Sequence, residues 1–205
     1  LSLTLYHKSL PKHYFSRYLF KKGRTNIKDY FSNEFLYYKL KPFFNDHSAK
    51  DVVENKLFFD FYFGQLGITL PKLLLYNQKQ IFVKENVAFR INSLAEFKNL
   101  LVTIFNQNPA YQSIFIKQTC ESYGGDHVFR ITPQQLATEG PLLADMYRII
   151  TKSGFLFQET IHQHPELNRL NPSCINTIRM DTFIDNEGQV NLMSAYLRMS
   201  TNNKH

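Results

Sequence analysis

The residues able to do chemistry in this chain are cations set beside strands and turns. Ser113-Ile114-Phe115-Ile116-Lys117 is an apolar run that ends in a lysine, and Gly124-Gly125 follows a few residues later. An ammonium at the end of a buried strand needs a partner. Glu121 or Glu159 would supply one as an ordinary salt bridge. The glycines point to a different partner, because backbone without side chains can approach a phosphate and aim its N–H groups at the oxygens. Turn chemistry alone also accounts for paired glycines in a hairpin. A Walker A loop is excluded by the missing Gly-Lys-Ser/Thr ending.

Three further stretches carry polar residues at suggestive spacing. Asn55-Lys56 opens a helix that runs to Gly67-Ile68-Thr69-Leu70-Pro71. Phe155-Leu156-Phe157-Gln158-Glu159-Thr160-Ile161 reads as a buried strand and resembles the hinge strand of the ATP-grasp superfamily. That likeness implies a place between two lobes, where its free N–H and C=O groups would meet the edge of a base while Phe157 and Ile161 form apolar walls. The third joins Gln163-His164-Pro165-Glu166-Leu167 to Asn171-Pro172-Ser173 and Asn176-Thr177-Ile178-Arg179. Glu166 also suits the first turn of a helix, where the dipole favours a carboxylate. Arg179, and Arg198 in Leu197-Arg198-Met199, are either anion ligands or surface arginines paired with Asp181 or Glu187. His162 and His164 stand two apart on a loop with no third ligand nearby, which favours solvated or hydrogen-bonded imidazoles over a metal pair.

The elements that position these residues follow from periodicity. Tyr14, Phe15, Tyr18 and Leu19 at helical spacing predict a buried stripe on a helix ended by Gly23, and Pro42 with Asn45 and Asp46 marks a turn. Asp51 is predicted to cap a helix carrying Val53, Leu57, Phe61 and Phe63, which Gly67 stops. Strands are predicted over 71–76 and 80–84 with a turn at Asn77. An amphipathic helix follows over 93–106, with Leu94, Phe97, Leu101 and Phe105 on one face. Strands over 113–119 and 128–132 surround the glycine turn. A helix over 141–152, the strand over 155–161, and a hairpin of 176–184 with 190–199 complete the chain. Strands paired through turns with helices on one side make this an α+β protein.

The stretches beginning at Asn55-Lys56, at Lys117 with Ser122-Tyr123-Gly124-Gly125, and at Phe155 resemble the ATP-grasp superfamily. Gln163 to Leu167 followed by Asn176 to Arg179 is similar to its sugar-transfer-associated subfamily. The likeness runs from about residue 50 to the end. It implies an ATP-grasp fold, two α+β lobes gripping ATP. The N-terminal basic and aromatic helical region would be 1–50, the small lobe 51–154, and the start of the large lobe 155–205. It implies that Lys56 and Lys117 approach the ATP phosphates and that Gly124 and Gly125 close over them. Gln158, Glu159 and Ile161 would lie at the adenine and Glu166 at the ribose. Gln158 stands where the family usually has a carboxylate. Arg179, and with it Arg198, would face the phosphates or an acyl-phosphate intermediate, as catalytic groups of a carboxylate-amine ligase. The family's Mg2+ ligands, an aspartate and a glutamate-x-asparagine strand, are expected beyond residue 205. Asp181 and Asp185 fit neither, so no metal residue is assigned. The fold is thus expected to be incomplete at the C-terminus and the piece inactive by itself. Polysaccharide assembly at the cell surface is the implied context.

Composition supplies the outer limits. The 205 residues are 43% hydrophobic and 15% aromatic, enough for a core and too much for disorder. The 24 Lys and Arg against 17 Asp and Glu give a net charge of +7, which suits phosphorylated ligands. Cys120 and Cys174 form neither a disulfide framework nor a metal spacing. No apolar run is long enough for a membrane span and no signal peptide opens the chain, so a cytoplasmic protein is expected. A non-catalytic nucleotide-binding or scaffold protein is the second reading. A basic nucleic-acid-binding module is the third, with no nucleic-acid motif to support it.

Overall fold

The structure, a computed structural model, describes residues 2–7, 11–45, 47–120, 122, 126–138 and 140–199. The chain separates into two compact units, Leu1–Asp51 and Val52–His205. No helix among the described residues is long and apolar enough to cross a membrane.

The first unit is made of short helical pieces. These are α1 (Ser2–His7), α2 (Lys12–Ser16), a 3-10 turn at Ile27–Asp29, and α3 (Asn33–Phe35), which passes through a π turn (Leu36–Leu40) into α4 (Lys41–Phe44). The helix expected to run to Gly23 stops at Ser16 instead. Tyr18 adopts a left-handed φ of 53°, which breaks the 3.6-residue period. Leu19 N donates back to Tyr14 O at 2.9 Å, and Leu19 and His13 are buried while Phe15 and Tyr18 face outward. Pro42 marks no turn. It lies inside a helical run, directly after the π turn that Lys41 N closes onto Leu36 O, and the chain leaves the helix at Asn45; Asp46 lies outside the described residues.

A 3-10 turn (His47–Ala49) and α5 (Lys50–Glu54) carry the chain across the boundary to α6 (Lys56–Gln65). Asp51 lies inside α5, and the cap expected of it falls to Asn55, whose Oδ1 accepts from Leu57 N and Phe58 N at 2.9 and 3.3 Å. Gly67, with φ of 74°, ends α6 as its position suggests. There follow β1 (Leu73–Gln78), β2 (Ile81–Lys84), β3 (Val87–Arg90), α7 (Leu94–Gln107), β4 (Ile114–Gln118), β5 (Val128–Ile131), α8 (Pro133–Ala137), α9 (Pro141–Ile150), β6 (Gly154–Glu159), α10 (Pro165–Leu170), β7 (Thr177–Ile184) and β8 (Val190–Arg198). Six strands form one antiparallel sheet in the order β3-β2-β1-β6-β4-β5, and β7 pairs with β8 in a separate hairpin. Mixed helix and antiparallel sheet make the chain α+β.

Alternation along the strands sends Ile114 and Ile116 of β4, and Phe155 and Phe157 of β6, to one face. There they pack with Phe97, Leu101 and Ile104 of α7 and with Met146 and Ile150 of α9. Each such aromatic contributes roughly 2–3 kcal/mol through burial. The opposite face carries α6, with Phe61 edge-on to Tyr76 at 5.5 Å. The helices therefore cover both faces rather than one. A run such as Phe155-Leu156-Phe157 shows no alternation because both of its sides are buried.

Two residues lock the centre of the sheet. The turn expected at Asn77 falls instead at Lys79 and Gln80, and Asn77 is a buried strand residue. Its Nδ2 donates to the carbonyls of Lys79 (2.7 Å), Ile150 (3.0 Å) and Ser153 (3.3 Å), and its Oδ1 accepts from Phe155 N at 3.1 Å. One amide thus ties β1, the end of α9 and the start of β6 together. At Gly154 a Cβ would stand 2.8 Å from Thr119 Oγ1 and 2.6 Å from Gln78 Oε1, so a side chain there would have to displace the Gln78 amide and the buried Thr119 hydroxyl.

Candidate functional site

Lys117 and Gln158 lie on the α6 face of the sheet, two residues past each other across the β4–β6 ladder. Lys117 is opposite Leu156, and Gln158 is opposite Phe115. This diagonal brings Lys117 Nζ to Gln158 Oε1 at 3.1 Å. The other end of the amide, Nε2, donates to Asp60 Oδ2 of α6 at 3.0 Å. Lys56 stands one helical turn before Asp60, on the same side of α6. Its backbone N–H donates to Thr119 O at 2.9 Å, which fastens the start of the helix to the end of β4. Its Nζ donates to Ser122 Oγ at 2.9 Å.

The electrostatics of this cluster are unbalanced. Burial lowers the Lys117 pKa, and the nearby charge of Lys56 lowers it further. Burial also lowers the Lys56 pKa, partly offset by Cys120. Burial raises the Asp60 pKa, and the bond from Gln158 opposes that. Among the described residues, two ammoniums are therefore held together against one carboxylate, which reaches Lys117 through an amide. Neither lysine has an ion pair with a carboxylate among the described residues; the salt bridge weighed between Lys117 and Glu159 is absent. Because Asn55 already caps Leu57 and Phe58, the start of α6 offers charge more than free amides. An arrangement of this kind attracts a polyanion, whose oxygens would restore full charge to both ammoniums.

The remaining expected site residues are distributed differently. Gly124, Gly125, Tyr123 and Glu121 lie outside the described residues. The carboxylate of Glu159 accepts from Lys72 N at 2.9 Å and from the Tyr111 hydroxyl at 3.4 Å, so it caps the entry to β1. The expectation that the 155–161 strand presents free backbone to a base does not hold along β6, which is paired with β1 on one side and β4 on the other. Phe157 is fully buried on the opposite face, 6.1 Å from Phe82, and is no wall of this site. Free backbone can begin only where the ladder ends, at Thr160 and Ile161. Thr160 Oγ1 is anchored to Ser113 O at 2.7 Å, and Ile161 is exposed.

Between residues 163 and 176 the polar side chains bind one another. Gln163 Nε2 donates to Asn171 O at 3.0 Å, and Asn176 Nδ2 donates to the carbonyls of Leu167 (2.9 Å) and Asn171 (3.0 Å). His164 Nδ1 accepts from Glu166 N at the start of α10, and Glu166 pairs with Arg169 at 3.3 Å on the exposed face. Arg179 and Arg198 project from the same side of the β7–β8 hairpin, since Arg179 is opposite Tyr196 and Arg198 opposite Thr177. The Arg179 guanidinium donates to the Tyr196 hydroxyl at 3.4 Å, not to Asp181 or Glu187. Asp181 accepts from Ser194 Oγ at 2.7 Å. No hydrogen bond or ion pair among the described residues joins these arginines to the lysine cluster.

Asp60 is the member of the cluster that residue spacing offers and motif reading passes over: it stands four residues after Lys56 on one helix. No group of three or more His, Cys, Asp or Glu side chains among the described residues fits a metal ion, and none is assigned to magnesium. A concavity of about 500 Å3 lined by Leu94, Ala95, Lys98, Gly140 and Leu143 contains none of the expected site residues.

No curated protein and no solved structure matches the chain. Residues 36–205 match the family described as sugar-transfer associated ATP-grasp. That match contains α6, β4, β6 and the 163–179 segment, the elements that assemble the lysine cluster and its neighbours. The chain belongs to the sugar-transfer associated ATP-grasp family.

Proposed function

We propose that the Val52–His205 unit binds ATP with its phosphates at Lys56 and Lys117. The observation that carries this reading is the pair of partly buried ammoniums facing, among the described residues, a single, indirectly linked carboxylate. Holding two such charges together is costly unless a ligand supplies the missing negative charge. In the proposed complex the Gly124-Gly125 loop covers the phosphates. The adenine edge meets the backbone at Thr160 and Ile161, just past the last ladder residue Glu159, and Glu166 lies toward the ribose. The Gln158 amide, already bonded at both ends, holds Lys117 in place.

The reaction proposed is ligation of a carboxylate to an amine or similar nucleophile. A carboxylate oxygen attacks the γ-phosphorus, the bond from that phosphorus to the β,γ-bridging oxygen breaks, and ADP leaves. The nucleophile then attacks the acyl carbon and displaces phosphate. Arg179, with Arg198 on the same side of the hairpin, would stabilise the charge that develops during transfer. The proposed context is a cytoplasmic role in cell-surface polysaccharide biosynthesis, for which the family's description, sugar-transfer associated, supports the link to sugar transfer.

Calorimetric titration of ATP into the protein and into Lys117→Met tests the reading. Loss of one charge-assisted hydrogen bond should weaken binding by about 1.5–3 kcal/mol, tenfold or more. Equal affinity of the two proteins would end the assignment of Lys117 to the phosphates.

A further inference from the structure

Residues 1–51 carry ten Lys and Arg against four Asp and Glu, so six of the seven net positive charges sit in the first quarter of the chain. The same stretch holds twelve of its 31 Phe and Tyr residues. A water-facing unit of that charge does not need aromatics on its surface, yet here they are outside. Phe43, Tyr38 and Phe44 are 80%, 77% and 74% exposed, beside the exposed Lys39 and Lys41. All five lie on the continuous helical stretch from α3 through the π turn into α4. The irregular turn spreads them around the helix rather than collecting them into a core-facing stripe.

We propose that this stretch docks the N-terminal unit on an anionic lipid surface. Phe43 and Phe44 enter the boundary between headgroups and acyl chains, and Lys39 and Lys41 reach the lipid phosphates along their own methylene stems. Charge complementarity identifies the partner's sign, and the apolar rings identify its depth. A nucleic acid would match the charge too, but it stacks bases on open, parallel ring faces. Phe43 and Phe44 stand at 85° to each other with centroids 5.1 Å apart, and Phe31 and Phe35 already stack on each other at 4.9 Å. Wedges fit a lipid boundary, and neither of these two ring pairs offers a platform of that kind. No membrane-crossing helix is needed, since such an association lies in the plane of the interface.

Flotation of the whole chain with phosphatidylcholine vesicles, with and without phosphatidylserine, tests the proposal. Binding should be about tenfold or more stronger with phosphatidylserine and should fall as salt is raised. Phe43→Ser with Phe44→Ser should lose about tenfold at unchanged charge, and Lys39→Glu with Lys41→Glu at least as much. Both variants should keep the helical circular dichroism of the parent. If the phenylalanine pair perturbs that signal, the lysine pair, both members exposed, carries the test. Equal binding to neutral and anionic vesicles, or undiminished binding by whichever variant keeps the parent's signal, would overturn the proposal. So would an oligonucleotide duplex that binds the chain more tightly than the anionic vesicles do.

Discussion

Around Asn176 the polar donors find acceptors: its amide hydrogens reach the Leu167 and Asn171 carbonyls and its own N–H is taken by Gln163, while its Oδ1 is buried without a hydrogen-bond partner among the described residues. Around Lys117 two ammoniums have a hydroxyl, an amide oxygen and one distant carboxylate between them. Both clusters are partly buried, and the segment around Asn176 is the one whose sequence resembles the subfamily. Yet the first is architecture, since amides without net charge can satisfy one another inside the chain. The second is left, among the described residues, with surplus positive charge that they do not balance. Subfamily-like residues and ligand-seeking residues are therefore different sets here.

The comparison breaks most visibly if both lysines are replaced. Lys56→Met with Lys117→Met should lower ATP affinity by about 3 kcal/mol or more, beyond a hundredfold, while the melting temperature without ligand holds or rises. A fall in melting temperature with unchanged affinity would place the lysines among the structural groups. Asn176→Ala should do the reverse. Orphaning the carbonyls it serves should cost about 2 kcal/mol in urea unfolding and leave ATP affinity as it was. The smallest effect is the dependence on pH. A lysine whose folded pKa lies below its unfolded value of 10.5 binds fewer protons when folded, so its contribution to stability rises with pH through that window. The melting temperature of the parent should therefore gain on that of Lys117→Met as pH rises toward 10.5. A gap that stays constant would mean that Lys117 is solvated.

Much of the framework was readable from local pattern. The α7 helix, with Ser93 as its cap accepting from Glu96 N at 3.2 Å, and strands β4 and β6 lie within about two residues of the periodic expectation. The strand β3 was not read, because its hairpin turns on Glu85 and Asn86, which take left-handed φ values of 50° and 65° without a glycine to announce them. The helix read through Tyr18 failed because apolar spacing says nothing about a single residue entering the left-handed region. Of the cluster, Lys56 and Lys117 were legible from type and place. Asp60 was not, since a lone carboxylate in an apolar helix declares no partner.

By itself the sequence determined the family, the helices and strands with clear periods, and the types of charge available, because each is written in neighbouring residues. Only the tertiary structure decided which charges meet. Inserting β6 between β1 and β4 consumed the backbone expected to face a base, and it sent Phe157 to the core and Gln158 to the α6 face. Register then put the Gln158 amide on Lys117 rather than leaving it free. A pairing offset by one residue would have reversed every one of those directions, since side chains alternate along a strand and no local pattern states the partner.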